Sequence, residues 1–160
     1  MIPFVNIDSN TRWVNIGNGT CNDMNYTIFD IIRFQFVEEL MIGSDSFLNI
    51  DTFKIDGLNH LILVKIGINS FTKNKNSYDN NYSRSFHILN CDELESIEIG
   101  KFSFSDYGGG FELFNLPTLS TIKIGEIGND SYNFFYSSFV IKGIIDMILL
   151  MNRSSKFEFD

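Results

Sequence analysis

Two histidines, His60 and His87, and two cysteines, Cys21 and Cys91, are the side chains of this 160-residue chain best suited to hold a metal or attack a substrate. Their spacing supports neither role. A zinc site needs four ligands in short-spaced pairs; two lone thiols do not supply them, and neither histidine has a Cys, Asp or Glu at metal-ligand spacing. His87 lies between Phe86 and Ile88 and is expected to point to solvent; His60 precedes Leu61. Acidic residues are scattered, with no spaced pair to divide general acid from general base. "GGG" (Gly108–Gly110) has no following Lys-Ser/Thr and reads as a turn, and "IGNGTCN" carries Asn22 where a dinucleotide-binding pattern needs its third glycine. We expect no catalytic residue, no metal, no cofactor and no enzyme activity.

Composition narrows the class further. Aromatics make up 15% of the chain and 17 of them are Phe, enough ring area to build a core despite many Asn and Ser. The net charge of −8 argues against a general nucleic-acid surface. No apolar run is long enough to span a bilayer; the longest, "IIDMILLM" (144–151), contains Asp146. The start, "MIPFVNIDSN", lacks the basic and apolar regions of a signal peptide. Five N-x-S/T acceptor sites (Asn18, Asn25, Asn81, Asn129, Asn152) are a modest excess for so Asn-rich a chain. No compartment is assigned.

What must position any surface is a repeat. Ile-Gly occurs at 16–17, 42–43, 66–67, 99–100 and 124–125, with glycine-to-glycine steps of 26, 24, 33 and 25 residues. In the last four, a Phe stands thirteen residues before the Ile (Phe29, Phe53, Phe86, Phe111), with Ile31, Ile55, Ile88 or Leu113 two residues later. One unit reads F-x-I-x-x-apolar-x-x-L-x-x-I-x-I-G-x-x-S-F. The "I-x-I" predicts a short strand with both Ile inward and one residue outward, and the preceding Leu closes the turn into it. One coil alone leaves these groups wet, so the coils must stack. Units fall near 1–28, 29–52, 53–85, 86–110, 111–138 and 139–160, all in one domain.

"VEELMIGSDSF", "LILVKIGINSF" and "LESIEIGKFSF" resemble the eleven-residue segment of leucine-rich repeats, L-x-x-L-x-L-x-x-N-x-L, with Asn69 at the family's Asn, Asp45 as substitute and Phe102 as a departure. The Ile-Gly ending and the Ser-Phe pair look most like the irregular, BspA-like class, over about Thr11 to Ile141. The resemblance implies a leucine-rich repeat solenoid: one parallel sheet of short strands, few helices, a right-handed coil or short horseshoe.

Several details follow as expectations. The repeated Gly suggests a turn with positive φ, or a groove of bare backbone. Ser46, Ser70 and Ser103 should bond backbone where the chain leaves the strand. "TKNKNSYDNNYSR" (72–84) adds about eight residues and reads as a projecting, mobile loop. In the fourth unit the Ser-aromatic pair becomes Ser131-Tyr132. Between Gly143 and Asn152 a buried helix or a strand is expected, the bracketing favouring a short helix. "SSKFEFD" then resembles the start of another unit; either the helix caps the core or the array continues and its open edge would allow self-association. Cys21 and Cys91 occupy different inward columns three coils apart, roughly 14 Å at about 4.8 Å per coil, too far for a disulfide.

The resemblance also implies that a partner lies against the concave ribbon of strands. The outward residues there are Asn15, Met41, Lys65, Glu98 and Lys123, and two positions earlier Trp13, Glu39, Leu63, Ser96 and Thr121. Trp13, Met41 and Leu63 would make an apolar contact spot, or meet an N-terminal flank folded over them. The leading expectation is a non-catalytic protein-interaction scaffold binding another protein. The alternatives are a carbohydrate-binding adhesin or lyase-like β-solenoid, which would need clustered Asp for calcium, and a purely structural array segment.

Overall fold

The computed structural model describes residues 8–73, 81–126, 130–144 and 148–151. Its strands are β1 (Trp13–Ile16), β2 (Ile28–Asp30), β3 (Glu39–Ile42), β4 (Thr52–Asp56), β5 (Leu63–Ile66) and β6 (Ser85–Leu89). They continue as β7 (Ser96–Ile99), β8 (Phe111–Phe114), β9 (Thr121–Ile124), β10 (Phe139–Lys142) and β11 (Ile148–Met151). Odd-numbered strands form one parallel sheet of six, even-numbered strands a second parallel sheet of five. The two sheets alternate along the chain, so each coil contributes a strand to both.

This overturns the leucine-rich repeat horseshoe. That fold has one parallel sheet, whereas here the side opposite the Ile-x-Ile strands is itself a parallel sheet, and no helix occurs among the described residues. The molecule is an all-β solenoid of about five turns, a β-helix. The physical reason lies in "F-x-I": it has the same two-residue period as "I-x-I", with Phe53 and Ile55 buried around exposed Lys54. A period of two on a buried face makes a strand wherever it occurs. The expected helix beyond Gly143 is likewise a strand: β11 pairs with β9, Met151 opposite Ile124. Residues 145–147 lie outside the described set.

The stacking itself is as expected. Ile16, Ile42, Ile66, Ile99 and Ile124 are successive partners across β1, β3, β5, β7 and β9. Val37, Leu61, Leu94 and Leu119, which close the turns before these strands, are buried. Strand spacing of about 4.8 Å also suits parallel, offset-stacked rings. Phe29, Phe53, Phe86 and Phe111 stack at 4.8, 4.8 and 4.9 Å. Phe47, Phe71, Phe104 and Phe134 form a second file at 5.2, 4.8 and 5.0 Å. The files meet edge-on, as Phe53 and Phe71 do at 5.1 Å.

The second file sits at a corner where the backbone is left-handed: Phe47, Phe71, Phe104 and Phe134 have φ between 50° and 58°. That conformation costs about 1–2 kcal/mol per residue, while burying a Phe contributes about 1.5–3 kcal/mol and ring pairing about 0.5–1.5 more. Burial wins at this corner. Between the strained positions a serine ties coil to coil. Ser46, Ser70 and Ser103 Oγ donate to the carbonyls of Gly17, Gly43 and Gly67 in the preceding coil (3.0, 2.7 and 2.6 Å). Ser70 Oγ and Ser103 Oγ also accept from the amides of Ser46 and Ser70 at 3.2 and 2.9 Å. In the last such corner the pair is Asn133-Phe134, not Ser131-Tyr132: Phe134 continues the ring file, and Asn133 Nδ2 donates to Gly100 O at 2.8 Å.

The glycines following the Ile strands answer to a close approach rather than to φ. Only Gly125 of the five has positive φ (71°). A Cβ on Gly43, Gly67 or Gly100 would lie 2.5–2.8 Å from atoms of the previous coil, mostly backbone. Gly17, in the first coil, would meet only Thr20 Cγ2 at 4.0 Å. Of the two thiols, Cys91 is buried in the column of Phe34, Leu58 and Leu116, and Cys21 is half-buried where later coils place Phe47; both are free, as expected.

The described ends of the 72–84 insertion are tied to the core, while residues 74–80, where a projecting, mobile loop is expected, lie outside the described set. Arg84 is wholly buried. Its guanidinium donates to Ile50 O from Nε (3.1 Å) and Nη2 (2.5 Å), and from Nη2 to Leu48 O (3.0 Å). It pairs with the Asp106 carboxylate and lies 4.6 Å over the Tyr107 ring. Lys73 N donates to Asp106 Oδ2 at 3.1 Å, and Tyr107 Oη to Ile50 O at 2.7 Å. Burial pushes the Tyr107 phenol far above its ordinary range. The "GGG" is explained here too: a Cβ on Gly109 would stand 2.3 Å from Tyr82 O.

Candidate functional site

The outer face of the six-stranded sheet carries all ten outward residues singled out from the sequence. Trp13, Glu39, Leu63, Ser96 and Thr121 are in one file, and Asn15, Met41, Lys65, Glu98 and Lys123 in the next. It is one side of a two-sheet coil, not the inner side of a horseshoe. Within the expected apolar spot, Glu39 stands between Trp13 and Leu63 in their file, and Met41 occupies the file beside them. Trp13 is 62% exposed, whereas Met41 and Leu63 are half-buried. Of the N-terminal flank expected to cover them, residues 1–7 lie outside the described set.

The other half of the face is recessed, with charged side chains at its edges and apolar surface from Ile66, Ile68 and Ile99 between them. A groove of about 670 Å³ runs across β5, β7 and β9, floored by Gly67, Gly100 and Gly125. Lys65, Glu98 and Lys123 line one side, with Lys101 and Glu126 on the other. Lys65 Nζ is 3.0 Å from Glu98 Oε2, and Lys101 Nζ 3.5 Å from Glu126 Oε2. Lys123 is exposed and has no ion pair among the described residues. The floor has no free donors: the amides of Gly67, Gly100 and Gly125 donate to Ile42, Ile66 and Ile99 carbonyls at 2.7, 2.8 and 2.8 Å. Because these glycines carry no side chain, the sheet drops to bare backbone between a charged rim and a mixed one that includes exposed Ile68. The far rim was missed in the sequence; the signal was the residue after each Ile-Gly, where Ile68, Lys101 and Glu126 follow one another.

The groups considered for chemistry stand apart from this face. His87 Nδ1 lies 3.0 Å from Glu112 Oε2 on the outside of the other sheet. His60 is 3.7 Å from Glu93 Oε1 at a corner and stacks on Phe36 at 6.0 Å. Burial pushes the Cys91 thiol up to about 11, which keeps it protonated and unreactive near neutral pH. Among the described residues no three His, Cys, Asp or Glu side chains converge on one point, and no helix is long and apolar enough to cross a membrane.

No family model, curated protein or solved structure matches the chain.

Proposed function

We propose that the chain is a non-catalytic interaction scaffold that presents the outer face of its six-stranded sheet to another protein. The observation that carries this is the groove over Gly67, Gly100 and Gly125, which sets Lys65, Glu98 and Lys123 of one outward file opposite Ile68, Lys101 and Glu126 in a single recessed surface on the stacked strands. A surface built on paired strands is held in place before a partner arrives, which lowers the ordering cost of association. The test compares capture by the wild type with capture by a Met41→Glu/Lys65→Glu/Lys123→Glu variant of equal stability. Loss of specific partners from the variant is expected; equal recovery by both removes the reading.

A second reading, a glycan-directed β-solenoid, is favoured by the two-sheet coil, since a parallel β-helix is the architecture that a polysaccharide lyase would use. Glycan-array binding or calcium-dependent cleavage would support it. Concentration-dependent self-association without partner capture would instead support a structural array segment.

A further inference from the structure

The geometry points to an extended acidic peptide segment as the groove's occupant, with its carboxylates held by Lys65, Lys101 and Lys123. This rests on the scaffold reading above and names the chemistry of its partner. The chain has 12 basic and 20 acidic residues, yet the groove gathers three lysines against two glutamates. The local sign is opposite to that of the whole molecule, so an acidic partner is repelled elsewhere and drawn here.

Charge gives the selectivity, over apolar surface from Ile66, Ile68 and Ile99 that is indifferent to the occupant's sign. The floor amides are already bonded between coils, so a guest strand gains no ladder hydrogen bonds from them. No aromatic ring lines the groove, so a sugar ring finds no stacking platform there. What remains is ammonium groups at fixed intervals. Lys65 and Lys123 flank Glu98 in one file, two strand steps apart, or about 10 Å. In an extended peptide the same-face side chains recur every ~6.7 Å, and the long lysine stems span the difference. Glu98 neutralises Lys65 in part and Glu126 does the same for Lys101, which leaves Lys123 as the principal anchor.

The probe is a synthetic peptide of alternating Glu and Gly, titrated into the full chain and followed by amide NMR and fluorescence anisotropy. Gly67 and Gly100 amides should shift while Gly19 and Gly57 stay still. Lys123→Gln should weaken binding about tenfold, and rising salt should weaken it further as the Debye length shrinks. Lys142→Gln, exposed on the opposite sheet, should leave affinity unchanged.

No shift at Gly67 and Gly100 overturns the inference. So does equal weakening by Lys142→Gln, or equal or tighter binding of polygalacturonate or inorganic phosphate at the same glycines. If the peptide fails while the triple variant still loses its captured partners, the acidic occupant is wrong and the scaffold reading stands.

Discussion

The glycine–serine–phenylalanine corner and the plug beneath the insertion close the same core in opposite ways. The corner uses small repeated units: a glycine that lets backbone approach, a serine that bonds the coil before it, and a ring that stacks on the next. The plug uses one cation, Arg84, which satisfies the carbonyls of Leu48 and Ile50 and pairs with Asp106 where the 24–26-residue rhythm is broken. A corner can lose one member and keep its neighbours. The plug concentrates its bonds in a single side chain, so its loss strands a charge.

The largest effect should therefore come from Arg84→Ala. The Asp106 carboxylate would stay buried without its guanidinium, and a broken buried pair costs about 3–5 kcal/mol. Denaturant midpoints give the measurement. Arg84→Met/Asp106→Asn should recover part of the loss, because the stranded charge is gone. An Arg84→Ala penalty below about 1 kcal/mol, the scale of an exposed pair, would show that the plug is no more stabilising than a surface contact.

The same contrast explains what was readable in advance. The stacked Ile-Gly pairs, the Phe that opens each unit, the inward Leu and the ten outward residues all recur, and recurrence is visible without coordinates. The second sheet was written just as plainly in Phe-x-Ile. The leucine-rich repeat resemblance implies a single sheet and so leaves no strand for that segment, although its period is that of a strand. Met151 pairs in register with Ile124 and Asn133 continues the Ser ladder, but each changes residue type, so a search for identity stops where the structure continues. Arg84 occurs once and has no register to betray it. The far rim of the groove, Lys101 and Glu126, varies from coil to coil and becomes a surface only once the coils are stacked.

A middle-sized effect tests whether coil-to-coil approach, not local conformation, demands the repeated glycine. Gly100→Ala would put a Cβ 2.5 Å from Gly67 O, and backbone that must give way costs about 1–3 kcal/mol. Gly17→Ala meets nothing closer than 4.0 Å and should change stability by less than about 0.5 kcal/mol. Thermal unfolding of the two variants under one buffer separates them. Equal penalties would mean that the first coil is as crowded as the inner ones, and the distinction between them would collapse.

The smallest effect lies in the polar ladder at the corner after the five-stranded sheet, where Asn90 and Asn115 take left-handed backbone with φ of 52° and 55°. Asn90 Nδ2 donates to Asp56 Oδ1 at 2.8 Å, and this bond holds the Asp56 carboxyl below its ordinary range, with Lys54 assisting. A carboxyl whose pKa is lowered on folding stabilises the native state above the unfolded value of about 4, and the gain is lost as pH falls through the folded value. Asn90→Gly keeps the backbone conformation and removes the donor. Asp56 is half-exposed, so solvent screening reduces the pH-dependent gain to about a few tenths of a kcal/mol. Stability curves from pH 6 to pH 3 should show the wild type's margin over Asn90→Gly shrinking across that window, leaving a pH-independent remainder from the Asn115–Asn90 bond at 3.0 Å. A margin that stays flat, or grows as acid is added, would assign the ladder's whole contribution to backbone geometry. The regular corners would then owe nothing to charge, in full contrast to the plug.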